Sequence, residues 1–389
     1  MKHAFIMVQH LLGTGHVVRA SLIGTALARR GVQVTLVSGG KIPPTLDTSA
    51  LDVIALPAVK AKSVHFDGLV REDGSPPDEA WWEARSERLK SAFLSKPYDL
   101  LLTETFPFGR RMFAREMLPL LELARTKRPR PLIAASIRDI LVRKQQLHKE
   151  EWMAEQAINY YDCILVHADP ALIRLEDSFP FAARVNHLIA YTGFVSPTKR
   201  GTDPDLPKQE GVVVSCGGGA VGTALLQTAI NARALSKAAG TTRWRILVGH
   251  DIGAETFTAL CAQANEGLII ERARPDFPQL IAQAKASISQ AGYNTVLDLL
   301  ATRTPAVLVP FAQGSESEQL QRARILAKRG RVVVLEEADL SAKALAHALD
   351  HSLSVKPAPL DLERQGASSS AQILLDAMTT RTKGEHISP

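Results

Sequence analysis

Short apolar runs recur along this chain, each handing over to a turn and then to a helical pattern. Residues 4–9, 32–38, 51–56, 100–103, 132–136 and 163–167 read as strands, and residues 17–30, 81–95, 110–125 and 149–160 as helices. Such alternation with short turns is the pattern of a doubly wound parallel sheet. Residues 60–80, rich in Gly, Pro and Asp, read as a loop or lid. Residues 196–210, SPTKRGTDPDLPKQE, hold three prolines and almost no large apolar side chain, which marks a linker. The β/α pattern then restarts with GVVVSCGGGAVG. Two Rossmann-like α/β domains are expected, over residues 1–195 and 211–379, with a flexible tail at 380–389.

The 389 residues exceed one ordinary core. Hydrophobic residues at 46% and charged residues at 22% suit a soluble globular chain. No apolar run reaches the roughly 18 residues needed to span a bilayer. The opening MKHAFIMVQHLLGTGH has no small-residue cleavage site before Gly13, so it reads as a buried first strand rather than a signal peptide. Cys163, Cys216 and Cys261 are far apart, which favours neither a disulfide framework nor a zinc site and points to a cytoplasmic address. The net charge is +6, with basic residues gathered at Arg110, Arg111, Arg115, Lys127, Arg128, Arg130, Arg138, Arg143 and Lys144. They make either a solvated face or a surface drawn to a phosphorylated acceptor or to anionic headgroups at the inner face of a membrane. Aromatic residues are 5% and no stacking platform is visible, so nucleic acid is not expected as a partner.

Residues 287–323, SISQAGYNTVLDLLATRTPAVLVPFAQGSESEQLQRA, compress a strand, a glycine turn, a helix, a second strand, a polar loop and a further helix into one unit. The turn at Gly292, Tyr293, Asn294 and Thr295 would offer free backbone N–H groups at a helix start, where anionic oxygen binds well. Asp298, one turn on, could accept from ribose hydroxyls, and Glu318 and Gln319 would open the next helix beside it. This segment resembles the C-terminal half of the GT-B glycosyltransferases of the family 28 type, a group that includes the N-acetylglucosaminyltransferase of lipid-linked peptidoglycan precursor synthesis. The match lies in Ser289, Ala291, Gly292, Thr295, Asp298, Leu299, Leu308, Val309, Pro310, Glu318 and Gln319. The resemblance implies that the backbone after Gly292 holds a diphosphate, Asp298 the ribose, and Glu318 with Gln319 the donor sugar. It also implies a GT-B fold of two domains facing a cleft, a last helix near 368–379 that returns to the N-terminal domain, and inversion at the anomeric carbon.

Other motifs fit around this one. Gly13, Thr14, Gly15 and His16 follow the first strand and precede a helix, a turn through which backbone can approach a ligand. Arg19 and Ala20 stand where a dinucleotide fingerprint would need another glycine, so nicotinamide and flavin are disfavoured. His16 is either a general base or a residue lining the acceptor site. Glu104 sits at the carboxyl end of a strand, as a base, an acceptor ligand or a structural partner of Arg110 or Arg111. Arg138 and Asp139 occupy a similar place after the next strand, on the acceptor side. Gly217, Gly218 and Gly219 form a second phosphate-approach loop, with Cys216 beside them as a small buried filler. Arg272, Arg274 and Phe277 fall where the resemblance places a nucleobase-facing loop. No HExxH or useful DxD pair supports a metal.

The expected activity is transfer of a sugar, with an N-acetylhexosamine favoured, from a UDP-activated donor to an acceptor hydroxyl, without metal or cofactor. His16 or Glu104 would be the base, and the acceptor is lipid-linked or a small molecule. The alternatives are a nucleotide-sugar hydrolase, a 2-epimerase, or a non-catalytic donor-binding partner subunit.

Overall fold

The computed structural model describes residues 1–11, 14–44, 46–62, 68–196, 211–217, 222–312, 317–360 and 362–385. They form two compact units, one of residues 1–196 with 362–385 and one of residues 211–360. Apart from Ser196, the expected linker lies outside the described residues.

The first unit opens with strands β1 (His3–Val8), β2 (Gln33–Ser38) and β3 (Asp52–Ala55). Next come β4 (Val59–Ala61) and β5 (Leu69–Arg71), which pair antiparallel as a separate ribbon. This ribbon corrects the reading of residues 60–80 as loop. Strands of three residues among Gly, Pro and charged side chains are too short to show a period. Strands β6 (Leu100–Glu104), β7 (Leu132–Arg138), β8 (Cys163–His167) and β9 (Ile189–Tyr191) complete the main sheet. Its order is β3-β2-β1-β6-β7-β8-β9, parallel throughout. The helices between are α1 (Gly15–Ala28), α2 (Glu79–Leu94), α3 (Ala114–Thr126), α4 (Leu147–Tyr160) and the short α5 (Ala182–Val185).

Side chains alternate across each strand, and both faces are covered. Phe5 and Met7 of β1 enter one apolar cluster with Leu101, Ile133 and Ile164, while Ala4, Ile6 and Val8 enter the opposite cluster with Leu100, Leu102 and Leu165.

The second unit alternates strictly: β10 (Val212–Ser215), α6 (Thr223–Arg233), β11 (Trp244–Val248), α7 (Ala254–Cys261), β12 (Leu268–Arg272), α8 (Phe277–Gln283), β13 (Ala286–Ser289), α9 (Tyr293–Leu300), β14 (Ala306–Leu308), α10 (Glu318–Lys328), β15 (Val333–Val334) and α11 (Ala342–Ser354). The six strands run parallel in the order β12-β11-β10-β13-β14-β15. Each sheet therefore reverses its winding beside its first strand, between β1 and β6 and between β10 and β13.

After α11 the chain rejoins the first unit with α12 (Gly366–Glu385). Ala367, Ala371, Leu374 and Met378 recur at helical spacing and enter the same cluster as Val17, Ala20 and Ile23 of α1. The entry is pinned by the backbone: Phe194 N–H donates to Glu363 O at 2.8 Å, and Gly366 N–H to Phe194 O at 3.0 Å. The tail expected to fray from 380 stays helical to Glu385, with Arg381 donating to Asp162 at 2.8 Å. Among the described residues no helix is long and apolar enough to cross a membrane.

Leu374 is fully buried against the first unit although the whole second unit precedes it in sequence. Leu374→Ala should cost the first unit about 2–5 kcal/mol. Hydrogen exchange under denaturant is expected to show α1 and β2 opening more readily while β10 and β13 keep wild-type protection. Equal loss in both units would contradict this assignment of α12.

Candidate functional site

Ligands of open parallel sheets bind beyond the carboxyl ends of the strands, where the winding reverses. In the first unit that point lies between β1 and β6. Helix α1 begins there, with Thr14 at its N-cap and Gly15 and His16 in its first turn, and β6 ends there at Glu104. The two side chains, 88 residues apart, meet with His16 Nδ1 2.9 Å from Glu104 Oε1.

Glu104 is only 3% exposed, and its carboxylate is enclosed by donors. Arg19, one helical turn after His16, gives Nη2 to Oε1 and Nε to Oε2, the latter at 3.4 Å. Thr105 places its hydroxyl 3.1 Å from Oε1 and 3.0 Å from His16 Nδ1. It does so with φ at 72°, a left-handed conformation that a β-branched residue rarely adopts. Such strain persists only where the surroundings over-determine it, as at functional sites. On the other side Ser136 Oγ donates to Oε2 at 2.5 Å, and behind it stands His167, with Nε2 2.8 Å from Ser136 Oγ and Nδ1 2.8 Å from Thr192 Oγ1.

The sequence singles out His16 and Glu104, which the structure brings together, but not Arg19, Thr105, Ser136 and His167, which surround them. The available signal was positional. Ser136 lies directly across the β6–β7 ladder from Glu104, and His167 ends β8.

Burial would raise the Glu104 carboxyl, but the Arg19 guanidinium and the His16 hydrogen bond outweigh it and hold the group well below the usual carboxylate range. Burial also pulls His16 down to about 3, against the opposing pull of Glu104, so its imidazole is neutral near pH 7. A neutral imidazole facing a carboxylate carries its proton on the nitrogen that faces it. Arg19 Nη2, a donor only, also stands 3.2 Å from Nδ1, but it is closer to Glu104 Oε1, to which it donates. The 2.9 Å carboxylate contact therefore assigns the proton to Nδ1 and leaves the lone pair on Nε2, which no described residue hydrogen-bonds. This geometry separates the two candidates for a base. Glu104 has its oxygens committed and its proton affinity lowered, whereas His16 offers an open lone pair.

In the second unit the winding reverses between β10 and β13. Gly217 follows β10 with φ at 76°, where glycine is needed. Gly292 follows β13 with φ at −61° and ψ at 148°, which any residue can adopt, and a Cβ added there would meet no atom within 4 Å. Among the described residues nothing demands glycine at this position. Helix α9 then starts with no side-chain cap and no acidic residue in its first turn. Asn294 is exposed, while Tyr293, Thr295 and Asp298 are half-buried around it.

Glu318, 6% exposed, and Gln319 open α10. Gln319 Oε1 accepts from Ala291 N–H at 3.0 Å and from Phe311 N–H at 3.2 Å, so it ties the turn after β13 to the turn after β14. Buried Arg322 donates to Ala291 O at 2.8 Å and braces the same turn from below. Gln319 is thus first an internal clamp, with only its amide nitrogen uncommitted.

Gly13, Gly218 and Gly219 lie outside the described residues. Arg138 ends β7 two residues past Ser136, half-buried, and Asp139 beside it is buried. Exposed Arg274 pairs with Asp276 at 2.7 Å and Glu271 at 3.5 Å. Arg272 stacks 4.0 Å over Phe257 and donates to Gly249 O and Ile252 O, and Phe277 packs against Val213, Leu247 and Ala284. These contacts tie the loop after β12 to β10, β11 and α7. Much of the basic cluster is likewise engaged: Arg115 with Glu79, Arg130 with Asp162, Arg143 with Glu150, and Arg111 over the Trp152 ring.

Residues 213–377 match the model of the glycosyltransferase family 28 C-terminal domain. Over 107 residues the chain is 34% identical to the UDP-N-acetylglucosamine–N-acetylmuramyl-(pentapeptide) pyrophosphoryl-undecaprenol N-acetylglucosamine transferase of Geobacillus kaustophilus, covering 27% of this chain and 30% of that protein. The namesake from Opitutus terrae is 31% identical over 117 residues, 29% of this chain and 31% of that one. The chain thus matches these curated relatives over about 30% of their length. Among solved structures it is similar to CalG4, the calicheamicin glycosyltransferase, with TM-score 0.59 and 15% identity over 98% of this chain and 95% of that one. It is also similar to Acinetobacter baumannii MurG (TM-score 0.57, 15% identity, 98% and 100% covered) and to Arabidopsis thaliana UGT89C1 complexed with UDP (0.59, 14%, 99% and 96%). At this identity the likeness establishes the fold, which is GT-B.

The buried histidines make the first unit acid-sensitive. Burial holds His16 and His167 near 3 and lowers His10 in the same direction, against about 6.5 in an unfolded chain. Between those values the unfolded chain takes up protons that the folded unit refuses, so stability is full above pH 6.5 and drains as pH falls toward 3. The slope is about 1.4 kcal/mol per pH unit for each such histidine. Urea unfolding read by hydrogen exchange in β7 and β8 is expected to shift to lower midpoints from pH 7 to pH 5, with a shallower shift in His167→Gln. A midpoint constant across that window would contradict burial of neutral imidazoles.

Proposed function

We propose that this chain, a GT-B protein carrying a family 28 C-terminal domain, is a glycosyltransferase that moves a sugar from a UDP-activated donor to an acceptor hydroxyl. The observation that carries the donor half is Gly292, a glycine for which the described residues give no internal reason, at the start of α9 on the switch point of the second sheet. A ligand that comes close to backbone supplies the missing reason. Names of the relatives support the chemistry: two are UDP-N-acetylglucosamine-dependent, and a structural neighbour is complexed with UDP. They favour an N-acetylhexosamine as the sugar.

In this reading His16 Nε2 takes the proton of the acceptor hydroxyl as its oxygen bonds to the anomeric carbon. The bond from that carbon to the diphosphate oxygen breaks, and UDP departs with the electron pair. A single displacement of this kind inverts the anomeric centre. Glu104 keeps the proton of His16 on Nδ1 and stabilises the imidazolium that forms. Thr14, Gly15 and Arg138 lie on the acceptor side. The N–H groups opening α9, with the turn at Gly217, meet the charge of the leaving diphosphate. Asp298 accepts from the ribose, while Glu318 and the amide of Gln319 hold the donor sugar.

Two variants separate binding from chemistry. Gly292→Ala meets no clash and should melt as wild type does, yet bind UDP about tenfold or more weakly by calorimetry, a change of roughly 1.4 kcal/mol. His16→Ala should bind UDP normally and lose about 10²–10⁴-fold in turnover. Wild-type protein that UDP does not stabilise, or a Gly292→Ala variant that binds as wild type, would overturn the donor assignment. Release of free sugar with no acceptor present would replace transfer by hydrolysis.

A further inference from the structure

The proton inventory around Glu104 reaches further into the first unit than the pair with His16. Ser136 has one hydroxyl hydrogen, and its neighbours are an acceptor, Glu104 Oε2 at 2.5 Å, and His167 Nε2 at 2.8 Å. A carboxylate can only accept, so the hydrogen goes to Oε2 and Ser136 Oγ receives the Nε2–H of His167. His167 Nδ1 is then left with its lone pair and accepts the single hydroxyl hydrogen of Thr192 at 2.8 Å, in preference to Gly193 O, which lies 2.8 Å from the same hydroxyl. His167 is completely buried, as are Ser136 and Thr192 to within 1%. From the opposite side Arg19, 4% exposed, spans both carboxylate oxygens with Nη2 and Nε.

Every acceptor direction of Glu104 that these groups occupy favours its ionised form. Were the carboxyl to take a proton in this buried place, it would become a donor toward His16 Nδ1. The imidazole would then carry its proton on Nε2 and could accept nothing there. The ionisation of Glu104 therefore sets the tautomer of His16.

We propose that Arg19 and the arm Ser136–His167–Thr192 are positioning residues of the transfer reaction, which fix the Glu104 carboxylate so that His16 presents the lone pair of Nε2. This rests on His16 as the base. The charged and titratable groups facing that imidazole are Arg19 from its own helix, Glu104 from β6 and Arg110 from the loop after β6, with His167 of β8 one side chain beyond.

The tautomer can be read directly, in the full chain and without knowing the acceptor. Long-range proton–nitrogen spectra of ring-labelled histidine resolve which nitrogen is protonated, and the signal absent from His16→Gln assigns His16 among the 11 histidines. Wild type at pH 7.5 is expected to show His16 protonated on Nδ1. Arg19→Gln should move most of the population to Nε2–H, Ser136→Ala a smaller share in the same direction, and Arg19→Lys should restore the wild-type form. A purely structural role would lower melting temperature in these variants and leave the tautomer alone. Wild-type His16 protonated on Nε2 would overturn the proposal outright, and needs no variant to fold. Nδ1–H retained in Arg19→Gln or, where that variant does not fold, in Ser136→Ala would overturn it as well. In turnover, Arg19→Gln should lose about tenfold or more in kcat with the donor KM unchanged. Full activity in His16→Ala would instead remove the base assignment and leave the tautomer result standing.

Discussion

Parallel pairing of β1 with β6, and of β10 with β13, is the arrangement on which both candidate sites depend. Because β2 lies on one side of β1 and β6 on the other, the connections that leave their carboxyl ends diverge. That divergence opens a crevice at the sheet edge without removing any side chain from the core. His16 and Glu104 are delivered into it by the start of a helix and the end of a strand, so their separation is fixed by the most rigid parts of the unit. In the second sheet the same reversal sets Gly217 and Gly292 in the turns that follow two neighbouring strands, β10 and β13, with α9 starting directly after Gly292. Rigid placement matters for catalysis, since displacing a reacting group by about 1 Å can cost about a hundredfold in rate.

The first unit meets a substantial electrostatic demand at this edge. A lone buried carboxylate costs several kcal/mol of desolvation, and a buried ion pair seldom recovers more than it loses. Glu104 is nonetheless nearly inaccessible, bound to an equally buried arginine, and attended by a threonine held at positive φ. A core built for stability alone would favour apolar side chains at these places. The arrangement is intelligible if the ionised carboxylate has a task, and orienting a neighbouring neutral imidazole is the task its geometry fits. The second unit shows the complementary economy. Gln319 and Arg322 commit their polar atoms to shaping the Ala291–Gly292 turn from which α9 starts.

Much of this was legible in the sequence, for reasons that can be named. Strands covered on both faces read as unbroken apolar runs such as CILVH, so the two β/α series could be anticipated, whereas the return of the last helix is only what the GT-B resemblance implies. His16 and Glu104 stood out because each follows or ends such a run. Arg19, Ser136 and His167 did not, because their meaning lies in cross-strand register, and one sequence carries no register. Arg19 was read only as a glycine that was missing. The ribbon at Val59–Ala61 and Leu69–Arg71 was too short for any period to show. Arg272, Arg274 and Phe277 are singled out because the family resemblance places a nucleobase-facing loop there. Arg272 donates to Gly249 O and Ile252 O, Arg274 pairs with Asp276, and Phe277 packs against Val213 and Leu247.

The central claim is that the start of α9 holds the diphosphate of a nucleotide sugar. Titrating amide-labelled full-length protein with UDP tests it most directly. Saturable shifts are expected, largest at the amides of Asn294 and Thr295, with Gly217 following at the same concentration. Saturable UDP shifts confined to other segments, or no shift at millimolar UDP, would contradict it.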